Sequence, residues 1–120
     1  MIDGHDVVYI SGPMSGIKDA NRAAFNACEA FLKSEFGCSV LNPARHPDGK
    51  SYAEYMELAM RDLQACSAVV TLPGVENSFG ACFECFVAGE KLGKPTYSIS
   101  EIVDRETLAP DWFRVGSSRQ

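Results

Sequence analysis

A chain of 120 residues with a net charge of −5 has the size of one domain, expected to span residues 1–120. That is enough to bury a core without disulfide or metal staples. Its 11 lysines and arginines are dispersed among 16 acids, which excludes the basic stripe that sequence-independent binding of duplex nucleic acid requires. No apolar run approaches bilayer length, and the first residues lack the basic-then-apolar order of a secretion signal. No membrane association is therefore expected, and the cytoplasm is the expected location.

Val7-Val8-Tyr9-Ile10-Ser11 is β-branched and aromatic and stops at Gly12-Pro13, the pattern of a buried strand. A glycine-containing loop follows to Asp19. Helical spacing begins at Ala20 and ends at Phe36, with Ala24, Cys28, Phe31 and Leu32 on one face. Asp19 or Asn21 suits its N-cap and Gly37 its C-terminal cap. Cys38 to Leu41 reads as a second strand, and Asn42 to Lys50 as a loop. Ser51-Tyr52-Ala53-Glu54 is a capping box opening a helix to about Gln64, whose buried face draws on Tyr55, Met56, Ala59 and Leu63. Ala68 to Leu72 is a third strand. A turn over Pro73 to Asn77 leads into a helix from Ser78 to Leu92, closed by Gly93. Lys94 to Ile99 is a fourth strand, and a short helix is expected from Ser100. In the tail, Trp112 and Phe113 are suited to packing on the body or on a partner chain.

Strands alternating with helices predict a parallel sheet with helices on both faces. Right-handed crossovers place all strand C-termini on one edge, where ligands bind near the reversal of strand order. Gly12 to Gly16, Asn42-Pro43 and Pro73 to Gly80 converge on that edge.

Ser78-Phe79-Gly80-Ala81-Cys82-Phe83-Glu84 opens a helix. Free N–H groups there favour anions, Gly80 permits close approach of a ligand, and Glu84 lies one turn further on the same face. The same letters also suit an ordinary helix start with an exposed glutamate. Gly12-Pro13-Met14-Ser15-Gly16 is neither a P-loop nor a dinucleotide fingerprint. It is compatible with a phosphate cradle of backbone N–H groups and the Ser15 hydroxyl, and equally with a tight turn. Asp62 is either a second carboxylate at the site or part of a solvated, ion-paired face. Two carboxylates are the usual equipment for cleaving a glycosidic bond. Cys82 and Cys85 form a C-x-x-C inside a helix with no second ligand pair, which favours packing over metal or redox chemistry. Neither a metal nor a cofactor is expected.

Tyr9 to Gly16, Asn42-Pro43-Ala44, Asp62-Leu63, Ala68-Val69-Val70 and Ser78 to Glu84, in this order and spacing, resemble the nucleoside 2-deoxyribosyltransferase superfamily. The likeness is closest to the branch that hydrolyses 2′-deoxynucleoside 5′-monophosphates and to a compact branch common in bacteriophage genomes. It runs to about Ile99. The resemblance implies a flavodoxin-like sheet of four to five strands with helices on both faces. It also implies roles. Glu84 would be the nucleophile at C1′, Asp62 the acid assisting departure of the base, and Tyr9 the residue orienting the nucleophile. Gly12, Met14, Ser15, Gly16, Ser78 and Gly80 would hold phosphate, with Asn42 in the substrate site. The chain departs from the pattern at Ser15, where the hydrolases carry arginine and Lys18 or Arg45 offers a substitute. It departs again at Ser67, where many members carry aspartate. The expected activity is N-glycosidic cleavage of a nucleoside 5′-monophosphate, by hydrolysis or base transfer, in a homodimer. The alternatives are a non-catalytic nucleotide-binding or sensing module and a flavodoxin-like phosphoryl or redox protein.

Overall fold

The computed structural model describes residues 2–103; the tail carrying Trp112 and Phe113 lies outside the described residues. Four strands form one parallel sheet: β1 (Val7–Ser11), β2 (Ser39–Leu41), β3 (Ala68–Thr71) and β4 (Thr96–Ser98), in the order β2-β1-β3-β4. Val8 is in register with Val40 on one side and Ala68 on the other. The chain leaves β1 in one direction to reach β2 and in the other to reach β3. The reversal of strand order therefore falls between β1 and β3, at the edge where strands end. This is the parallel α/β arrangement expected from the pattern of elements, in the flavodoxin-like form that the family resemblance implies.

The central strands have no exposed face, so alternation assigns each side chain to one of two cores. Val8, Ile10, Val70 and Leu72 meet Phe25, Cys28 and Leu32 of α1 (Arg22–Phe36), with Ile99 of α4 (Ile99–Ile102). Tyr9 and Val69 point the other way, into a smaller cluster with Leu63 of α2 (Tyr52–Ala65) and Ala88. Ala88 lies beyond α3 (Phe79–Phe86), in a π-helical turn over Val87–Lys91. The single helix expected from Ser78 to Leu92 thus loosens at its end, where the Leu92 N–H donates to the Val87 carbonyl. Gly93 follows in the left-handed conformation that ends it.

Local chemistry explains most boundaries. The Ser51 hydroxyl accepts from the Glu54 N–H while the Glu54 carboxylate accepts from the Ser51 N–H, a complete capping box. Gly37 takes φ 68° at the end of α1. The start of α1 differs from expectation, because neither Asp19 nor Asn21 caps it. Asp19, Ala20 and Asn21 adopt consecutive left-handed conformations (φ 51°, 52° and 63°). These turn the Asn21 amide back to donate to the Pro13 carbonyl, and Asp19 instead pairs with Arg22. The far end of α2 lies away from the edge where the strands end: Ser67, just beyond the helix, donates its N–H to the Val7 carbonyl at the start of β1. Helix α2 therefore begins beside the strand ends and finishes beside the strand starts.

Gly12 follows β1 directly, and a Cβ there would lie 2.9 Å from Leu72 Cβ. The two chains leaving β1 and β3 approach as closely as they do because this position is glycine. We expect Gly12→Ala to lower stability by about 1–3 kcal/mol through overpacking, measured by urea denaturation, whereas alanine at Gly80, where a Cβ meets open space, leaves the fold intact.

Candidate active site at the carboxyl edge of the sheet

Alternation along β1 sends Tyr9 and Ser11 to the same face as α3. Both side chains are wholly buried, so their hydroxyls need partners within the protein. Glu84 supplies them: the Tyr9 hydroxyl donates to its Oε2 at 2.9 Å and the Ser11 hydroxyl to its Oε1 at 2.8 Å. Burial pushes the Glu84 carboxyl above its ordinary range, and the hydrogen bonds from Ser11 and Tyr9 hold it back. The Tyr9 phenol is itself pushed up strongly, by burial first and then by the charges of Glu84 and Asp62.

Glu84 lies where two cavities meet. The first, of about 290 Å³, is walled by Tyr9, Pro43, Ala44, His46, Tyr55 and Ala59, with Arg22 and Asp48 at its side. The second, of about 430 Å³, is bounded by Gly12 to Ser15 and by the start of α3, with Ser78, Gly80 and Ala81. Met14 and Glu84 border both. The structure thus brings Tyr9, Met14, Ser15, Gly12, Ser78, Gly80 and Glu84 to one cleft. The space above Gly80 is open, whereas Gly12 is closed by Leu72. Gly16 takes φ 79° in the same loop, exposed and outside both linings. Ser78 is spent in part as the N-cap of α3, accepting from the Ala81 N–H at 3.2 Å.

Asp62 is buried, and its Oδ2 lies 3.2 Å from Nε2 of His46. It does not border the first cavity, but His46 does. Asn42, expected in the substrate site, is buried away from both cavities. Its amide donates to Glu29 Oε1 at 2.9 Å and to Asn26 Oδ1 at 3.0 Å, and its carbonyl oxygen accepts from the Ala44 N–H. The physical reason is Glu29. This carboxylate is buried in α1, and Asn42, Arg45 (2.6 Å) and Lys33 (2.7 Å) satisfy it. Arg45 is thereby committed to Glu29, and neither it nor Lys18 borders the cleft. The cation that does is Arg22, bound to Asp48 at 2.8 Å, to Asp19 and to the Ala44 carbonyl. Ser67 stands at the opposite edge, donating to Asp6 and accepting from the Val7 N–H. The exposed thiol among the described cysteines is Cys82; Cys85 is half-buried and Cys28, Cys38 and Cys66 are buried.

Four contributors escaped the sequence reading: Ser11, His46, Arg22 and Tyr55. Ser11 carried a signal, since it shares a strand face with Tyr9. The other three are joined to the site by contacts remote in sequence.

A parallel sheet with a hydroxyl-clamped glutamate at its reversal point defines an α/β protein with a candidate site at the carboxyl edge. The chain belongs to a family described as a domain of unknown function, DUF4406, whose model matches residues 6–97. No curated protein matches it in sequence. Among solved structures it is similar to a 2-desoxiribosyltransferase from Leishmania mexicana, with a TM-score of 0.60 and 21% identity over 89% of this chain and 75% of that one. At that identity the likeness establishes the fold.

Burial alone would push the Glu29 carboxyl up, but Arg45, Lys33 and Asn42 together outweigh it and hold the group at about 2, against an ordinary 4.5. A depressed folded value contributes stability above the unfolded value and loses it as pH falls through the folded one. We therefore expect wild type to be more stable than Glu29→Gln at neutral pH, with the difference shrinking below pH 4.5 and vanishing near 2, as read by denaturant midpoints across that range.

Proposed function

We propose that this protein cleaves the N-glycosidic bond of a nucleoside 5′-monophosphate, a 2′-deoxynucleotide first, with Glu84 as the nucleophile. The observation that carries this reading is the clamping of both Glu84 oxygens by Tyr9 and Ser11 at the junction of two cavities. A nucleophile at C1′ must sit between the space for the base and the space for the sugar phosphate, and its attacking lone pair must be aimed. The first cavity, with tyrosine, histidine and apolar walls, suits a base. The second, with the loop after β1, the start of α3 and the open face of Gly80, suits a phosphate held by N–H groups and hydroxyls. The hydroxyl donors favour the ionised carboxylate and oppose the upward push of its burial. Asp62 contacts His46, which borders the first cavity. The fold likeness to a deoxyribosyltransferase and the motif order from Tyr9 to Glu84 support the same reading.

A second copy of the chain is the proposed partner. Phe79, Phe83 and Phe86 are exposed, the first of them 81%, and their spacing puts them along one side of α3. An apolar stripe beside the cleft favours association of like chains.

Three expectations follow. Wild type should release free base from one or more nucleoside 5′-monophosphates, read by chromatography, with Glu84→Gln at least 1,000-fold slower, as on loss of a nucleophile (roughly 10³ or more). Ser11→Ala should move the acidic limb of the rate profile to higher pH, because one hydrogen bond that favours the ionised carboxylate is gone. Binding without turnover in both proteins would instead favour a sensing module. In sedimentation, wild type should run as a dimer and the double variant Phe83→Glu, Phe86→Glu as a monomer.

A further inference from the structure

His46 is joined to the cleft in a way that Asp62 is not. Its ring borders the first cavity together with Tyr9 and Glu84. Its Nε2 is engaged by Asp62 Oδ2 at 3.2 Å, while among the described residues Nδ1 makes no hydrogen bond. The Asp62 carboxylate is buried behind it and borders neither cavity. We propose that His46 is the catalytic group that delivers a proton to the departing base, and that Asp62 is the positioning residue that holds its ring. This rests on the glycosidase reading.

The backbone carrying His46 is fixed from below. Its N–H donates to the Pro43 carbonyl at 3.1 Å, closing the turn Pro43–Arg45. The Asn42 side chain caps that turn, and Glu29 holds both Asn42 and Arg45. A general acid needs this kind of support, since small displacements cost large factors in rate. The charged and titratable groups facing His46 are Asp62 from α2, Asp48 and Arg22, paired to each other, Tyr55, whose hydroxyl donates to the Pro47 carbonyl, and Tyr9 with Glu84. Asp62 is the carboxylate in contact with the ring and fixes its orientation.

In the forward step, a Glu84 oxygen forms a bond to C1′ while the C1′–N bond breaks. The electron pair passes into the base, and the Nδ1 proton of the imidazolium goes to a base nitrogen. In the second step, water attacks C1′ and gives its proton to the now neutral imidazole. The C1′–O bond to Glu84 breaks and its electron pair returns to the carboxylate. Protonated His46 and ionised Glu84 are both restored.

The test compares a 2′-deoxynucleoside 5′-monophosphate that the wild type cleaves with an N7-methylated purine deoxynucleotide, whose base leaves neutral without accepting a proton. We expect His46→Gln to slow the unmethylated substrate by about 10²–10⁴-fold, the ordinary worth of a general acid, and the methylated one less than tenfold. Asp62→Asn should slow the unmethylated substrate less than His46→Gln does, and should also spare the methylated one, because a positioning residue acts only through the proton that His46 delivers. Equal loss on both substrates in His46→Gln would overturn the proposal in favour of a structural role. So would an Asp62→Asn that abolishes release while His46→Gln retains it, or one that slows both substrates equally. Absence of base release by wild type from both compounds, a result independent of His46, would remove the glycosidase reading itself and the proposal with it.

Discussion

Two hydroxyls on the buried central strand, Tyr9 and Ser11, need acceptors, and one carboxylate satisfies both. Strand β1 is covered on both faces, so every side chain it carries belongs to a core. A hydroxyl stranded there without a partner would cost about 1–3 kcal/mol. Glu84 answers both at once, and this ties α3 to β1 across the point where strand order reverses. The arrangement also sets the character of the carboxylate. Burial drives it toward protonation and the hydroxyls draw it back, so its charge depends on two donors fixed in the most rigid strand of the sheet. A group held in such tension is a common mark of a working site, because stability alone would place an apolar side chain there.

The opposite wall of the cleft rests on a second buried carboxylate with a different purpose. Glu29 is fully answered by Asn42, Arg45 and Lys33, and its charge is secure. Its partners come from the turn that follows β2, and that turn carries His46, Pro43 and Ala44 to the cavity. The two glutamates thus divide the labour. Glu29 is ionised and saturated, which favours a fixed backbone. Glu84 is pushed toward protonation by burial, drawn back by two hydroxyls, and keeps a face toward open space. Arg45 and Lys33 are half or more exposed, so solvent screens those pairs, and the buried Asn42 amide is the contact through which Glu29 shapes the turn most firmly.

Much of the fold was legible because its determinants are local. The β-branched run of β1, the Ser51–Glu54 capping box and the glycines at positions 37 and 93 each act over a few residues, and each element formed where those signals stood. The start of α1 was not legible. Three consecutive left-handed residues without glycine contradict local preference, and the reason lies in contacts to Pro13, Asp48 and Ala44. Motif order in the sequence groups Glu84, Tyr9, Ser78 and Gly80, and the structure brings all four to one cleft. Asn42 lies off the cleft because its polar atoms answer Glu29, 13 residues earlier. Asp62 follows Ala59 by three and precedes Leu63, which puts it on the buried side of α2. His46, with its partner 16 residues away, had no local signal at all.

The distribution of charge around the cleft bears on how a substrate would be held. The second cavity is lined by hydroxyls, the Asn77 amide, apolar side chains and the Glu84 carboxylate, with no lysine or arginine among the described residues that border it. Arg22, on the first cavity, is already answered by Asp48 and Asp19. A phosphate bound at the start of α3 would then depend on directional N–H donors and the open approach to Gly80 more than on a salt bridge. Such contacts act over short range and fix orientation, whereas a cation would add long-range attraction. Recognition of this kind favours placement over raw affinity. Placement is what the proposed nucleophile, clamped at the junction of two cavities, would require, since Glu84 would reach only a C1′ held between them.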